Sequence, residues 1–570
     1  MRSLVIVRHL ACLLAGVSGT ILAQVSTPAV VPTPSELAGK RDPKLSAEQS
    51  AALPDIKTPP RELGRVDDDL KLDVDRYTVD DDAPAALRAA LPQLTAAYVG
   101  KDRSYEDLIN AASEVTRYLQ RELGYYLGYA YIPEQAPGQS GIRIAVLEGR
   151  LDKVVLNWRD GLPVKREVMQ AYLDRLQPGS ILTVRDVERV VFLLNDLRGI
   201  AVRAEVKPGS RPGTAILEFT PKADPRFDAK VDGDMNGSRY IGIARLGATA
   251  IWNSPLGRGD GLAASVLGSV GGGLKFGLLG YNTPLGSNGL KAGISVSALK
   301  YQLDEKNFPL GLNGNGVTTN LFVLYPWIRS RNLNLFSLSS LDDKRYEDSI
   351  ASIATRKKID DLVLGLTGDF RDSLLGGGVN TFEVSYSTGR LRFPDGRPSG
   401  LDDAANYGKL TYAFARLQNI IDGRLLTYLS LRGQQSFHNL DSTEQFRAGG
   451  PDGVRAFGPG EGTGDSGIAL SAELRWLPPE AWFGRWAREL VMGAFIDGAR
   501  IQYRHDPSLV NREATYVNSA SLSGVGFSLV WARPAAYSLR ISVSTPISGE
   551  AKSETNPMNP RVYLQGSWFL

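Results

Sequence analysis

The chain of 570 residues contains one cysteine, three histidines and five methionines, so several kinds of chemistry lack their usual side chains. The cysteine is Cys12, close to the amino terminus, and the rest of the chain has no thiol for a disulfide, a zinc site or a nucleophile. The 65 basic and 62 acidic residues nearly cancel, leaving a net charge of +3. Such a small charge gives no long-range field that favours nucleic acid, and we predict no nucleic-acid partner.

Long apolar runs are also missing. After residue 23, no stretch of about 18 apolar residues is free of charge, which is the length that a membrane-spanning helix needs. Residues 1–23 have basic side chains followed by an apolar segment, as in a secretory signal peptide, and we expect cleavage after Ala23. A lipoprotein site at Cys12 is disfavoured because His9 stands where an apolar residue is expected. An exported chain of this kind is periplasmic, secreted or an outer-membrane barrel.

The glycine-rich stretch from Gly449 to Gly467, GGPDGVRAFGPGEGTGDSG, contains two overlapping catalytic signatures. Gly462–Gly467 matches the G-x-G-x-x-G of dinucleotide-binding turns, and its last four residues match the surroundings of a serine-protease nucleophile. A dinucleotide site needs a helix after the glycines, whereas the alternating residues that follow predict a strand. A protease needs a histidine base, and neither His438 nor His505 lies in a sequence that resembles one. We predict no enzymatic activity and no nucleotide site.

Metal sites and cofactors have no signature either. The chain lacks a phosphate-binding P-loop, a His-Glu-x-x-His pair and any Cys/His spacing for zinc. The acidic clusters Asp80–Asp82 and Asp360–Asp361 have adjacent rather than alternating carboxylates, so we interpret them as solvated turns and not as calcium ligands. We predict no cofactor and no metal.

Residues 24–222 divide into a linker and two modules. Residues 24–68 are rich in proline, alanine and charge and are predicted to be a linker, with a possible plug helix within residues 34–53. Residues 69–150 and 151–222 each show the order strand, helix, helix, strand, strand, which indicates internal duplication. Each module is expected to pack two helices on a small sheet whose edge can pair with an extended peptide.

Local signals place the helices of these modules. Ser104 is predicted to cap the helix of SYEDLINAASEVTRYLQRELG, with Asp107 three residues on. In the second module, Pro163 is expected in the first turn of the helix of PVKREVMQAYLDRL.

Residues 223–570 lose the helical period and show short runs of alternating apolar and polar residues. In GIALSAELRWL, Leu470 and Leu474 lie on one face, and Ser471 and Glu473 lie on the other. A membrane strand with its connections fits about 16 times into this segment, so we predict a transmembrane β-barrel of about 16 antiparallel strands. A large secreted all-β domain, without a membrane or transport role, is the alternative.

Together, these segments resemble the outer-membrane transporters of two-partner secretion, which export haemolysins and filamentous adhesins. That family has a plug helix and linker, two polypeptide-transport-associated (POTRA) domains in the periplasm and a 16-stranded barrel. The resemblance covers nearly the whole chain after the signal peptide.

The more specific part of the resemblance lies in the barrel. The family's sixth extracellular loop folds into the lumen and carries a Val-Arg-Gly-Tyr type tetrad, matched here by Val454, Arg455, Ala456 and Phe457. In the family, the arginine pairs with the aspartate of a Phe-x-Asp motif on the barrel wall, and FIDGARI supplies Phe495 and Asp497. Ala and Phe replace the commonest Gly and Tyr of the tetrad, so a different local turn is expected and one hydroxyl is absent.

The resemblance implies that the protein lies in the outer membrane, with lipid around its barrel, and secretes a partner exoprotein that the POTRA domains capture. It also implies that no nucleotide takes part. The alternative within the same superfamily is a factor that assembles or inserts other outer-membrane proteins. Such factors commonly have three or more POTRA domains, so two modules favour secretion.

Overall fold

A computed structural model of the chain describes residues 71–135, 141–306, 311–350, 353–421, 423–509, 517–554 and 557–570. The predicted signal peptide (1–23) and linker with its possible plug helix (24–68) lie outside the described residues. Two small domains precede a closed barrel. Of the helices within these ranges, none is both long and apolar enough to cross a membrane.

The first small domain packs two helices on short strand pairs around a core that includes Leu87, Leu108 and Leu119. The side chain of Ser104 accepts a hydrogen bond from the amide of Asp107, whose carboxylate accepts one from the Ser104 amide, so the predicted cap is confirmed as a reciprocal capping box. The elements are β1 (Lys71–Val74), β2 (Arg76–Thr78), α1 (Ala85–Thr95), β3 (Gly100–Ser104), α2 (Tyr105–Arg121), β4 (Tyr129–Tyr131), β5 (Gly141–Arg143) and β6 (Ala145–Leu147). Strands β2 and β3 are additions to the predicted order.

The second small domain has the predicted order of one strand, two helices and two strands. Its elements are β7 (Arg150–Leu156), α3 (Arg166–Leu173), α4 (Val184–Asn195), β8 (Ile200–Pro208) and β9 (Thr214–Ala223). The sheet order is β7-β9-β8, with β9 parallel to β7 and antiparallel to β8. The prediction for Pro163 was wrong, because α3 begins at Arg166. The preceding Lys165 is extended, and its amide binds the carbonyl of Gly257 in the barrel.

Sixteen antiparallel strands form the closed barrel, and the last strand pairs with the first, with Trp568 opposite Val231. This confirms the predicted fold class. The barrel strands are β10 (Phe227–Asp234), β11 (Arg245–Asn253), β12 (Gly261–Ser269), β13 (Leu274–Pro284), β14 (Lys291–Gln302), β15 (Asn313–Arg329), β16 (Leu333–Ile350), β17 (Ile353–Asp372), β18 (Gly378–Arg392), β19 (Asn406–Ile421), β20 (Leu425–Ser436), β23 (Ser466–Trp476), β24 (Leu490–Gln502), β25 (Ser519–Arg533), β26 (Tyr537–Ser548) and β27 (Arg561–Phe569). A small hairpin, β21 (Phe446–Arg447) and β22 (Thr463–Gly464), lies between β20 and β23, and α5 (Glu480–Phe483) follows β23.

The alternation of each strand decides which side chains face outward. On β23, Leu470 and Leu474 are 53% and 49% exposed on the outer surface, whereas Glu473 is only 6% exposed and points inward. Such a barrel presents apolar side chains to lipid and polar ones to its lumen. The end of the barrel beside the small domains is called the near end, and the opposite one the far end.

The hairpin of β16 and β17 corrects one prediction. The two strands have 18 and 20 residues, about twice the length that crosses a membrane, so the hairpin extends past the far end. Asp360 and Asp361 lie inside β17 and not in a solvated turn. Asp361 is buried and accepts a hydrogen bond from Nζ of Lys344 at 3.2 Å.

The second small domain is fixed to the near end through α4. Asp196, just after α4, accepts two hydrogen bonds from Arg329 on β15, at 2.7 and 3.0 Å. The Arg329 guanidinium also contacts the rings of Phe192 and Phe336, 5.2 and 5.7 Å from their centroids. Arg189 donates to the carbonyl of Asn288 in a near-end turn and to those of Pro326 and Trp327 near the end of β15, so one face of α4 is docked on the barrel.

Candidate functional site in the barrel lumen

The segment from Phe437 to Asp465 connects β20 to β23 and is called the lumen loop. It is the sixth connection at the far end, and much of it is buried among inward side chains of the barrel. A tight turn shapes its tip, where the Val454 amide donates to the carbonyl of Ala448 at 2.8 Å. Gly450 has φ +114°, and a side chain at Gly453 would overlap the carbonyl oxygen of Ala448 at 1.9 Å. Glycine is needed at both positions, so these residues serve the turn.

The predicted tetrad lies at this tip, and Arg455 reaches the wall of the lumen at Asp497. Nε and Nη2 of Arg455 donate to the two carboxylate oxygens of Asp497 at 2.9 and 2.8 Å, and the Arg455 amide adds a third bond at 3.1 Å. The side chain of Asp497 is fully buried and that of Arg455 is 13% exposed. Parallel charge-assisted hydrogen bonds of this kind fix both the position and the orientation of the guanidinium.

Strand alternation on β24 explains why Phe495 and Asp497 act together. Both point into the lumen, whereas Ile496 between them is 53% exposed on the outer surface. The guanidinium of Arg455 lies 3.2 Å from the centroid of the Phe495 ring, in a cation–π contact. The structure therefore brings together Arg455, Phe495 and Asp497, which the sequence analysis singled out.

Two partners of Arg455 were missed as site residues. Ser471 on β23 accepts a hydrogen bond from Nη2 of Arg455 at 3.0 Å and donates to Asp497 at 2.7 Å. Glu473, two residues on, accepts a longer bond from Nη1 of Arg455 at 3.4 Å and another from the hydroxyl of Ser528 at 2.5 Å. The period of two had already placed both residues on the polar face of β23. That pattern was the signal that could have identified them.

The other tetrad residues are packed against the last barrel strands. Val454, Ala456 and Phe457 belong to one buried apolar cluster that includes Leu522 of β25. Phe457 is 2% exposed, and its carbonyl accepts a hydrogen bond from the hydroxyl of Tyr563 on β27 at 2.7 Å. The tip is thus held by apolar packing as well as by charge.

The two catalytic signatures have structural roles instead. Gly467 lies within β23, so the strand predicted to follow the glycines is confirmed. Asp465 is buried, accepting hydrogen bonds from the amides of Leu440 and His505 and from the side chain of Gln445. Burial raises the pKa of this carboxyl, and these donors together with Arg504 oppose the rise. The arrangement fixes the end of the loop.

Comparison with protein families gives two matches. Residues 213–508 match the model described as haemolysin secretion/activation protein ShlB/FhaC/HecB, and residues 72–149 match the POTRA domain of ShlB type. Among curated proteins, the heme/hemopexin transporter protein HuxB of Haemophilus influenzae is 25% identical over 462 residues, which cover 79% of each chain. The outer membrane transporter CdiB of Dickeya dadantii is 26% identical over 430 residues, 72% of this chain and 73% of its own.

Solved structures show the same fold. CdiB from Escherichia coli superposes with a TM-score of 0.68 at 20% identity, over 92% of this chain and 95% of its own. BamA from Haemophilus ducreyi, lacking POTRA domains 1–3, has a TM-score of 0.53 at 12% identity, over 88% of this chain and 100% of its own. At these identities the likeness concerns the architecture alone, a barrel that follows small domains.

Proposed function

The chain belongs to the haemolysin secretion/activation protein family, and from this membership we propose that it exports one partner exoprotein through its own barrel. It is an outer-membrane transporter of two-partner secretion, with the small POTRA domains in the periplasm. The near end of the barrel is therefore periplasmic and the far end extracellular.

The observation that carries the proposal is the lumen loop held across the pore by Arg455 and Asp497. A barrel that only anchored an adhesive domain would gain nothing from burying a charged arginine of an extracellular loop against its inner wall, because burial of charges costs free energy. A transporter needs a movable element in the lumen that closes the pore at rest. We infer that the loop tip moves when the exported chain enters.

The second small domain offers an edge for capture of the exoprotein. Strand β8 lies at the edge of its sheet. The outward backbone amide and carbonyl of Val202 are covered by the side chain of Asn195, at 2.8 and 2.9 Å. Because the ladder alternates, Val206 directs its backbone groups the same way, beyond the reach of that cap, and it is only partly buried, whereas Ala204 between the two is 1% exposed. We infer that an unfolded segment of the exoprotein adds a strand there.

No nucleotide enters this mechanism, and we infer that no enzymatic step occurs. Folding of the exported chain outside the cell is the source of free energy. The direct test is secretion in cells that co-express the protein with large exoproteins of its own genome, with the exoprotein measured in the medium and in the periplasm. The proposal expects export of one exoprotein that stops when the transporter is deleted and resumes with the plasmid-borne gene.

Two outcomes would overturn the proposal. Recovery of the protein in the soluble fraction would rule out the barrel transporter. A general loss of unrelated outer-membrane proteins on deletion, with export of exoproteins unchanged, would instead assign the protein to outer-membrane assembly.

The capture site has its own test in the full-length protein. Val206→Pro removes an outward amide without removing a bond to β9, and we expect it to leave exoprotein in the periplasm. Glu205→Ala on the same strand changes only an exposed side chain and is the matched control. Equal secretion by both variants would exclude strand addition at β8.

A further inference from the structure

The first part of the lumen loop, Phe437–Arg447, is called the loop base and carries a buried acid between two lysines. Glu444 accepts a hydrogen bond from Nζ of Lys344 on β16 at 2.7 Å and another from Nζ of Lys409 on β19 at 2.9 Å. Nζ of Lys409 also donates to the main-chain carbonyl of Glu444 at 2.8 Å. The Glu444 side chain is 5% exposed, and each lysine side chain is 11% exposed. One loop residue therefore joins two barrel strands.

A second buried pair lies beside the first. Both carboxylate oxygens of Asp441 accept hydrogen bonds from Nζ of Lys357 on β17, at 2.8 and 2.9 Å. The amide and hydroxyl of Thr443 complete the shell of Asp441 at 3.0 and 2.6 Å. The side chains of Lys357 and Asp441 are 2% and 4% exposed. Desolvated charges of this kind are tolerated only while they stay paired, and lifting the loop base would take away the carboxylate partner of Lys409. Lys344 and Lys357 would keep only the wall carboxylates of Asp361 and Asp348, at 3.2 and 3.9 Å.

Apolar packing supports the same contact. Leu440 of the loop base is 1% exposed and belongs to a cluster with Tyr346, Ile359, Leu391 and Tyr407. These four residues are on the β16–β17 hairpin, on β18 and on β19. The loop base is thus seated on the extracellular extension of these strands.

The ion pairs of the loop base and those of the loop tip involve different strands of the barrel. The ion pairs of the base involve β16, β17 and β19, whereas Arg455 and Phe457 at the tip contact β23, β24 and β27. Within the described residues, the two sets of ion pairs share no strand. The loop is therefore held by charges on two separate groups of strands. Apolar packing of Phe446 with Phe457 and Ile501 joins the base to the tip as well.

We propose that Glu444 and Asp441 form a second anchor of the lumen loop, independent of Arg455, which keeps the loop base in place when the tip is released. They are positioning residues: loss of the Arg455 contact frees the tip alone, and full displacement of the loop requires both anchors to break. The proposal rests on the proposed function only for the identity of the chain that displaces the loop.

Thiol labelling on intact cells separates the two anchors. Cys12 is the only cysteine, so Leu440→Cys in a Cys12→Ser background gives one reporter at the loop base. A membrane-impermeant maleimide reaches this thiol only when the base lifts. The reporter is combined with Glu444→Gln plus Asp441→Asn, with Arg455→Ala, or with Glu347→Gln. The last change is the control, because Glu347 lies on the same hairpin in an exposed pair with Arg356.

The second anchor predicts a specific order of labelling rates. Glu444→Gln with Asp441→Asn should raise the rate on the order of 100-fold, which corresponds to about 2.8 kcal/mol at 1.4 kcal/mol per tenfold. Arg455→Ala should change it by less than about threefold, and Glu347→Gln should leave it unchanged. Heat-modifiable migration on gels verifies that each barrel is folded.

Three results would overturn the proposal: rapid labelling in the reporter background itself, no acceleration in the Glu444/Asp441 variant, or an equal acceleration by Arg455→Ala. Labelling requires no exoprotein, so its outcome does not depend on whether the secretion assay succeeds. If a folded barrel shows the predicted labelling order but no export, the second anchor is supported and the proposed function is rejected.

Discussion

Ala456 of the lumen loop occupies the space that a side chain at Gly524 on β25 would need: a Cβ at Gly524 would lie 2.4 Å from the Cβ of Ala456. The loop tip therefore packs so closely on the barrel wall that one additional methyl group would overlap with it. This close contact can be tested by substitution at Ala456, the tetrad position at which the related family most commonly has Gly.

We predict that Gly524→Ala prevents the tip from seating and reduces secretion, because packed interiors do not absorb such an overlap. Ala456→Gly should remove the methyl group that overlaps with the new side chain, so the double variant should secrete more than Gly524→Ala alone. Gly498→Ala on β24 is the control, since a Cβ at Gly498 meets no atom within 4 Å. Exoprotein in the medium is the measurement. A double variant as defective as Gly524→Ala would contradict the proposed fit.

The Arg455–Asp497 pair predicts a loss of function without loss of the barrel. Arg455→Ala or Asp497→Asn leaves the partner charge buried, and we expect the loop to be destabilised by about 3–5 kcal/mol. Secretion should fall sharply while membrane insertion and heat-modifiable migration are kept. Arg455→Lys should rescue little, because an ammonium cannot form two parallel bonds to Asp497. Full secretion by both Arg455→Ala and Asp497→Asn would reject the assigned role.

Glu473 should have a smaller effect than Asp497. Its bonds to Arg455 and Arg475 are 3.4 and 3.5 Å long, and its short bond goes to Ser528 on the wall. Glu473→Gln is therefore expected to lower secretion less than Asp497→Asn in the same assay. Glu383→Gln, at an exposed position on β18, serves as the control. If Glu473→Gln is the more severe change, Glu473 and not Asp497 is the main partner of the arginine.

The junction between the second small domain and the barrel gives a fourth prediction. Asp196→Ala removes the two bonds that Arg329, which is 7% exposed, makes to a carboxylate and leaves it the amide oxygen of Asn334; we expect about 3–5 kcal/mol less docking stability. Limited proteolysis of the periplasmic domains should become faster, and secretion should fall because the second small domain is no longer fixed to the near end of the barrel.

Glu188→Gln is the matched control for the junction. Glu188 lies on the same helix face, and its ion pair with the guanidinium of Arg331, which is 45% exposed, spans 4.0 Å. Glutamine keeps an oxygen for the 3.1 Å bond from the Arg331 amide, so we expect a change of about 0–1 kcal/mol. Equal protease sensitivity of the Asp196 and Glu188 variants would show that the buried pair does not fix the domain.

The sequence predicted the parts of this protein that depend on local patterns. Alternation on β23 identified the lipid and lumen faces, because successive side chains of a strand point to opposite sides. The serine and aspartate three residues apart located the cap of α2 at Ser104. The tetrad at Arg455 and the motif at Asp497 came from resemblance to a family, and the structure places them in contact; their part in secretion remains a prediction.

What the sequence could not predict depends on contacts between distant parts of the chain. Lys344 and Glu444 are 100 residues apart, and Asp196 and Arg329 are 133 apart, so no local period links them. Asp361 looked like part of a solvated acidic turn, but the length of the β16–β17 hairpin places it inside the extracellular mouth beside Lys344.

The sequence by itself thus determined an exported chain with two small domains and a barrel of about 16 strands, because composition and the period of two are local properties. Only the closed barrel decided which charges are buried together. Closure brings strands that are distant in sequence around one lumen, where the lumen loop covers their inward side chains. The tertiary structure therefore pairs Arg455 with Asp497. It also pairs Glu444 and Asp441 with lysines of β16, β17 and β19.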